Sequence, residues 1–165
     1  MKKVMIAAVA DNGVIGSEGE LSWHLPADLE FFYRQIEGAF LLTGRKSLES
    51  GQGQDIFNGR PYVVVTRQEG YTARGGQVAH SIKEAIAIAE KQPQDKLCVL
   101  GGAAIYEQCM PLVDELIITE IHTRPEDGDA FFPEIDTSVW REFTREDHQA
   151  DAENPHDYSF VYYRK

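Results

Sequence analysis

A chain of 165 residues, 42% hydrophobic and 26% charged, is long enough for one domain with a sizeable core, and its composition is that of a globular protein. The formal net charge of −11 argues against nucleic acid or an anionic membrane surface as a partner. No apolar run reaches membrane length, Asp11 follows too soon after Met1 for a signal peptide, and Cys98 and Cys109 are too few for a disulfide framework, so a reducing cytoplasm is expected.

In chain order, Val4–Ala10 reads as a buried strand. The segment from Asp11 to Glu20 carries Gly13, Gly16 and Gly19 at every third position, which suits either a plain surface loop or a mobile cover over a site. Pro26–Ile36 reads as a helix: Pro26 suits its first turn, and Leu25, Leu29, Phe32 and Ile36 recur at helical spacing. Phe40–Thr43 is a short apolar strand, a helix starts at Ser47, and Tyr62–Thr66 is a β-branched strand. Ile82–Glu90 is helical, Leu97–Leu100 a strand, Ala103–Met110 a helix and Glu115–Ile121 a strand. Glu142–His148 and Ser159–Tyr163 close the chain as a hairpin around the turn-rich 151–157 segment. Strands alternating with helices imply crossovers, so the expected class is α/β, a doubly wound, mainly parallel sheet with a mixed edge and flanking helices.

Asp28 is the residue that most needs explaining. In a first helical turn an acid commonly complements the helix dipole. Here, at about 100° per residue, it projects at the edge of the apolar face between Phe31 and Phe32. A carboxylate among such neighbours must find a partner or shift its pKa upward. That placement suits recognition of a cationic, amidine-like heterocycle, or proton delivery.

Three strand ends carry a second signal. Gly44-Arg45-Lys46-Ser47 follows the strand at Phe40, Thr66-Arg67 the strand at Tyr62, and Gly101-Gly102-Ala103-Ala104 the strand at Leu97. Ligands bind beyond such carboxyl ends, and glycine there lets backbone N–H groups approach a phosphate. Each is weak alone, and a Gly pair often marks nothing but a turn. Together they suit a dinucleotide with an extra phosphate, NADP rather than NAD. No metal is expected. His24, His80, His122, His148 and His156 show no ligand spacing, and Glu126-Asp127-Gly128-Asp129 lacks the alternating oxygens of a calcium loop.

With these residues in view, the chain resembles the dihydrofolate reductases from end to end. The resemblance is carried by Ile6-Ala7-Ala8, Val14-Ile15-Gly16, Trp23 through Leu29, Gly44-Arg45-Lys46-Ser47, Gly59-Arg60, Gly101 through Tyr106, Thr119 and Glu126 through Pro133. It implies an eight-stranded sheet with a C-terminal antiparallel hairpin, NADPH as cofactor, and reduction of 7,8-dihydrofolate to tetrahydrofolate by a monomer that antifolate inhibitors also bind. It further implies that Asp28, assisted by Thr119, binds the pterin 2-amino group and N3 and promotes protonation of N5, while Trp23 holds an ordered water. Ile6, Ala8, Leu29, Phe32, Leu100 and Tyr106 wall the pterin and nicotinamide, and Arg60 pairs with the glutamate tail. Arg45, Lys46, Ser47, Thr66 and Arg67 hold the adenosine side of the cofactor. Gly101, Gly102, Ala103, Ala104 and Ile105 hold its pyrophosphate, with Gly44, Val14, Ile15 and Gly16 against the rest.

Three departures from the family pattern stand out. Leu21-Ser22 replaces a common Met-Pro, Ala104 replaces a cofactor-facing Arg, and the 50–58 segment is two residues longer than usual. Trimethoprim-insensitive relatives also vary in that segment. Gly51 stands where a bulky aliphatic is common, so a thinner wall beside the substrate's benzoyl ring is expected unless the inserted residues fold back to replace it, Ile56 and Phe57 being the apolar candidates in the segment. A riboflavin-pathway reductase and a non-catalytic pteridine-binding protein are the rival readings. The first does not need Trp23, Asp28 and Arg60 together, and the second would tolerate loss of the Asp28 carboxylate.

Overall fold

The computed structural model describes residues 1–16 and 25–165. Its first strand, β1 (Lys2–Ala10), has Val4, Met5, Ile6 and Ala7 all buried, the continuous apolar run of a strand covered on both faces. After it come β2 (Val14–Gly16), α1 (Pro26–Ile36), β3 (Phe40–Gly44), α2 (Arg45–Glu49), α3 (Gly51–Phe57), β4 (Tyr62–Val65) and β5 (Gln77–Ala79). The chain continues through α4 (Ile82–Glu90), β6 (Lys96–Val99), α5 (Ala103–Cys109), β7 (Glu115–Ile121), β8 (Ala130–Phe131), β9 (Arg141–His148) and β10 (Tyr158–Arg164).

Eight strands form one sheet in the order β5-β4-β3-β6-β1-β7-β10-β9, and β2 pairs with β8 apart from it. Strand β10 runs against both its neighbours, while the other pairings in this sheet are parallel. The expected doubly wound, mainly parallel sheet with a C-terminal antiparallel hairpin is therefore the architecture found. Strand order reverses at β1, with β6 on one side and β7 on the other. A crevice at such a switch point is where an open α/β sheet takes its ligand.

Side chains alternate along the strands and so build two cores. Val4, Ile6, Leu41, Val64, Cys98, Ile117 and Phe160 face Phe31 and Ile36 of α1 and Phe57 of α3. Met5, Leu42, Val63, Val99, Leu116 and Ile118 face Ile82, Ala85 and Ala89 of α4 and Ile105, Tyr106 and Cys109 of α5.

Two parts of the reading need correction. The helix expected from Ser47 begins at Arg45 and breaks at Ser50, and most of the longer 50–58 segment forms a second helix, α3. Gly51-Gln52-Gly53 has poor helix propensity, but Ser50 caps the helix. Its Oγ accepts the Gly53 N–H at 3.0 Å and donates to the Ser47 carbonyl at 2.8 Å. Strand β5 was not expected from three residues. It forms because Val78 and Ala79 lie in register against Val64 and Val65, while the Tyr62 hydroxyl ties the approaching turn by donating to the Arg74 carbonyl at 2.8 Å.

Candidate active site

The first turn of α1 is held from a distance. Leu25 precedes it in an extended conformation without a side-chain cap of its own. Asn154, in the connection between β9 and β10, accepts the Ala27 N–H on its Oδ1 at 3.0 Å. Asn154 is itself buried and fixed by Asp151, which accepts its backbone N–H at 2.8 Å and its side-chain amide at 3.0 Å. One turn on, Phe31 stacks on Phe160 of β10, with ring centroids 3.9 Å apart and planes at 6°. These two contacts set the roll of α1, and Asp28 follows from it. The buried side of the helix is Leu25, Asp28, Phe31 and Ile36 rather than the stripe the spacing suggested. Leu29 is 45% exposed because it faces an open cavity.

That cavity, of about 240 Å³, has Asp28 and Thr119 among its lining. Thr119 comes from β7, where it pairs with Ala8 of β1. Burial pushes the Asp28 carboxyl up to about 6, against the opposing effect of a hydrogen bond from Thr119. Apolar side chains surround the acid. Ile6 and Ala8 come from β1, Leu29 and Phe32 from α1, Leu100 from the end of β6 and Tyr106 from α5. The Tyr106 hydroxyl donates to the Ile6 carbonyl at 2.7 Å, which fixes α5 to β1. Trp23 lies outside the described residues.

The glycine-bearing strand ends converge beside this cavity. The Gly101 carbonyl accepts both the Gly44 N–H at 2.8 Å and the Thr43 hydroxyl at 3.1 Å, joining the ends of β3 and β6. Gly101 has φ +105°, and a Cβ there would lie 3.0 Å from the Tyr106 ring, so glycine is required on both grounds. A Cβ on Gly44 would lie 3.1 Å from Ile105, and one on Gly102 3.5 Å from Ser47 Oγ. No side chain among the described residues caps α2 or α5 at its start, so their first N–H groups stand open beside a close-packed glycine cradle. This cradle fits a pyrophosphate. Ser47 and Gly102 line the cavity; Ala103 and the exposed Ala104 follow on α5, while Ile105 is buried under Gly44.

On the far side, Thr66 is buried and its Oγ accepts the Gln68 N–H at 3.1 Å, leaving Arg67 exposed at the end of β4. Lys46 is exposed as well, whereas Arg45 is paired with Glu49 at 2.8 Å. Ile15 of β2 reaches the cavity. Val14 is buried against the turn at Gly128, where a Cβ would overlap the valine side chain, and Gly16 pairs with Ala130.

Two expectations about the outer rim change. Arg60 does not line the cavity. Its guanidinium donates to the Ile56 carbonyl at 2.9 Å and lies 5.0 Å over the Tyr33 ring, in a separate depression with Arg34 and Gln94. Since Ile56 does line the cavity, Arg60 stands just beyond its mouth. Gly51 is exposed and is not among the residues that line the cavity, so no thin wall arises there. Ser50, Gln52, Gly53 and Ile56 supply the wall instead, because the longer segment folds into a helix. Ile56 was an apolar candidate the sequence offered in this segment, whereas Ser50, Gln52 and Gly53, with Asn154, are what the sequence reading missed; the Ser50-x-x-Gly53 cap was its one legible signal. Among the described residues no cluster of three or more His, Cys, Asp or Glu could hold a metal, and no helix is long and apolar enough to cross a membrane.

The dihydrofolate reductase family model matches residues 3–165. A dihydrofolate reductase of Neisseria meningitidis serogroup A is 37% identical over 163 residues, covering 99% of this chain and 98% of the relative. That of Bacillus subtilis is 37% identical over 160 residues, covering 97% and 92%. Among solved structures, dihydrofolate reductase from Enterococcus faecalis in complex with NADP(H) and RAB-propyl superposes with a TM-score of 0.88 at 34% identity, covering 99% of this chain and 95% of that one.

Proposed function

The chain belongs to the dihydrofolate reductase family, and from that premise we propose that it reduces 7,8-dihydrofolate to 5,6,7,8-tetrahydrofolate with NADPH, placing a hydride on C6 and a proton on N5. The carrying observation is one buried carboxyl, Asp28, raised to about 6 and hydrogen-bonded by Thr119 on the wall of an apolar cavity beside a glycine cradle. NADPH supplies the hydride when bound. The protein's part is placement, dryness and one acid. Asp28 takes hydrogen bonds from the pterin 2-amino group and N3, and the pairing favours a proton on N5. Ile6, Leu29, Phe32 and Leu100 keep water away from that proton. Arg60 meets the glutamate tail as it leaves the cavity past Ile56. Arg45, Lys46, Thr66 and Arg67 hold the adenosine end, and Gly101, Gly102 and Ser47 the pyrophosphate. The product supplies one-carbon metabolism, and the chain acts as one cytoplasmic, monomeric domain. Incubation with dihydrofolate and NADPH tests the reading: the reduced nicotinamide's absorbance must fall only when both are present. A chain that binds both but turns over neither is a pteridine-binding protein instead.

Two variants test the ends of the site. NADPH should be used in preference to NADH, and replacing Arg45 and Arg67 together by Ala should reduce that preference by about tenfold or more through loss of charge-assisted contacts. Equal use of both cofactors by the unmodified protein would rule out the phosphate role of these strand ends. Arg60→Lys should raise KM for dihydrofolate while leaving the affinity for a pterin without glutamate unchanged, since Lys cannot make the bidentate pair. Equal losses would place Arg60 in packing against Tyr33, not in tail recognition.

A further inference from the structure

The depression that holds Arg60 lies at the opposite edge of the sheet from the glycine cradle. It is framed by the end of α1, the turn into β3 and the segments that lead into β4 and β6, and its volume is about 550 Å³. Its polar lining includes Glu30, Arg34 and Glu37 around α1, Arg60 before β4 and Gln94 before β6. Arg60 stands on the boundary with the apolar cavity. Its guanidinium donates to the carbonyl of Ile56, which lines that cavity, and lies over the ring of Tyr33, which lines the depression. That bond uses a single N–H, and the rest of the fork stays available. Arg34 is exposed and has no hydrogen bond or ion pair among the described residues, although Glu30 and Glu37 flank it on the same rim. Gln94 supplies a second unmet group: among the described residues its Oε1 is buried without a hydrogen-bond partner. Leaving such an acceptor unpaired is costly, and the last torsion of glutamine is broad enough to turn it toward a donor in the depression.

We propose that this depression is a subsite for a second glutamate, joined through an amide to the substrate's own glutamate tail, so that the chain favours dihydrofolate with an extended tail over dihydrofolate itself. The proposal rests on the dihydrofolate reading above. In that reading the tail leaves the cavity past Ile56 and is met by Arg60, and the ground beyond Arg60 is this depression. Arg60 takes one carboxylate of the tail in a bidentate pair, so the extension grows from the other. The added unit carries carboxylates, which accept, and an amide N–H, which donates. The lining offers both complements: Arg34 and the free side of Arg60 donate, while Gln94 Oε1, Glu30 and Glu37 accept. A bare phosphate would face the two acids with nothing to give them, and a simple cation would face the two guanidiniums. The mixed lining therefore selects a peptide-like unit over an ion. With a net charge of −11 the long-range field of the chain repels an added anion, which leaves local pairing with Arg34 as the source of any gain.

The probes are dihydrofolate, dihydrofolate carrying a second glutamate on its γ-carboxyl, and dihydrofolate carrying glycinamide there, which adds the amide link without a carboxylate. KM and kcat are measured for each with the unmodified protein and with Arg34→Gln, at low and at high salt. With the unmodified protein the second glutamate should lower KM about three- to tenfold at low salt, the scale of one exposed charge-assisted pair. The kcat should not change, because the reacting end of the substrate is held as before. High salt should shrink the gain, and glycinamide should give none. Arg34→Gln should abolish the gain while leaving KM and kcat for dihydrofolate as they are. Equal KM for dihydrofolate and its glutamate-extended form, a gain that survives Arg34→Gln, or an equal gain with glycinamide would overturn the subsite while leaving the dihydrofolate reading intact. So would an Arg34→Gln protein that loses dihydrofolate turnover in the same proportion, since Arg34 would then act through α1. An unmodified protein that turns over none of the three would overturn the dihydrofolate reading itself, and this proposal with it.

Discussion

Asp28→Asn should lose roughly 10²- to 10³-fold in kcat/KM at pH 7, the range expected when a positioned acid is removed, and should at the same time make the protein more stable. Both follow from one fact. The carboxyl sits among Phe31, Phe32 and Leu25 with Thr119 as its hydrogen-bonding partner, and burial raises it from 3.8 to about 6. The folded state therefore holds this proton more tightly than the unfolded chain. Folding stability from this group is fully present below about pH 4, falls as the pH rises toward 6, and is lost above that. At about 1.4 kcal/mol per unit the full cost is on the order of 3 kcal/mol. An amide cannot ionise, so the variant avoids that cost, less whatever its own buried NH₂ loses by going unpaired. The net gain should be about 1–2 kcal/mol above pH 6, or roughly 2–8 °C in Tm for a chain of this size, and should vanish near pH 4. Urea unfolding of both proteins at pH 4, 5.5 and 7.5 measures it. A gain of the same size at all three pH values would mean that Asp28 is not the titrating group. Turnover of the variant should recover in part at low pH, where the substrate brings its own proton; full activity at pH 7 would remove Asp28 from the chemistry.

The split between what could and could not be read follows the range of the interactions. Asp28 was legible because its anomaly is local: a carboxyl between two phenylalanines in one helical turn. The strand ends at Gly44 and Gly101 were legible as glycines next to helix starts, although the need for glycine at 101 rests on Tyr106, five residues on, packing back over it. Thr119 could be named only through family resemblance, since nothing within β7 separates it from any other threonine in a strand. Its role comes from pairing with Ala8, 111 positions away. Asn154 lay in a stretch read as a turn, and its contact with Ala27 spans 127 positions. The apolar stripe on α1 failed for the same reason. Spacing marked Leu29 and Phe32 as core, but the helix rolls to put Phe31 on Phe160, which leaves those two facing the cavity. Apolar residues at helical spacing can line a ligand site as readily as a core, and only the tertiary partner distinguishes the two.

The helix α3 is the part of the site that propensity argued against, and Gly53 is where it is most sensitive. Gly53→Ala should destabilise the protein and open the outer wall of the cavity. An alanine normally stabilises a helix by about 1 kcal/mol relative to glycine, so a position judged by propensity alone would gain. Here α3 turns sharply off α2, and a Cβ on Gly53 would overlap the carbonyls of Ser47 and Leu48, backbone atoms that cannot move like a side chain. Ser50 is committed at the same corner, accepting the Gly53 N–H and donating to Ser47. To admit the methyl group, α3 must swing away from α2. That loses the Ser50 cap, worth about 1 kcal/mol, and adds overpacking strain of about 1–3 kcal/mol. The net destabilisation should be about 2–3 kcal/mol, or roughly 4–12 °C in Tm. Because Ser50, Gln52, Gly53 and Ile56 all line the cavity, the same swing should raise KM for dihydrofolate and loosen inhibitors that reach this rim. Asp55→Ala, on the exposed side of the same helix, should change neither. Paired melting curves and inhibition constants for the two variants make the comparison. If Gly53→Ala proved as stable as the parent, α3 would not be packed on α2 as described, and the wall beside the substrate's benzoyl group would have to come from elsewhere.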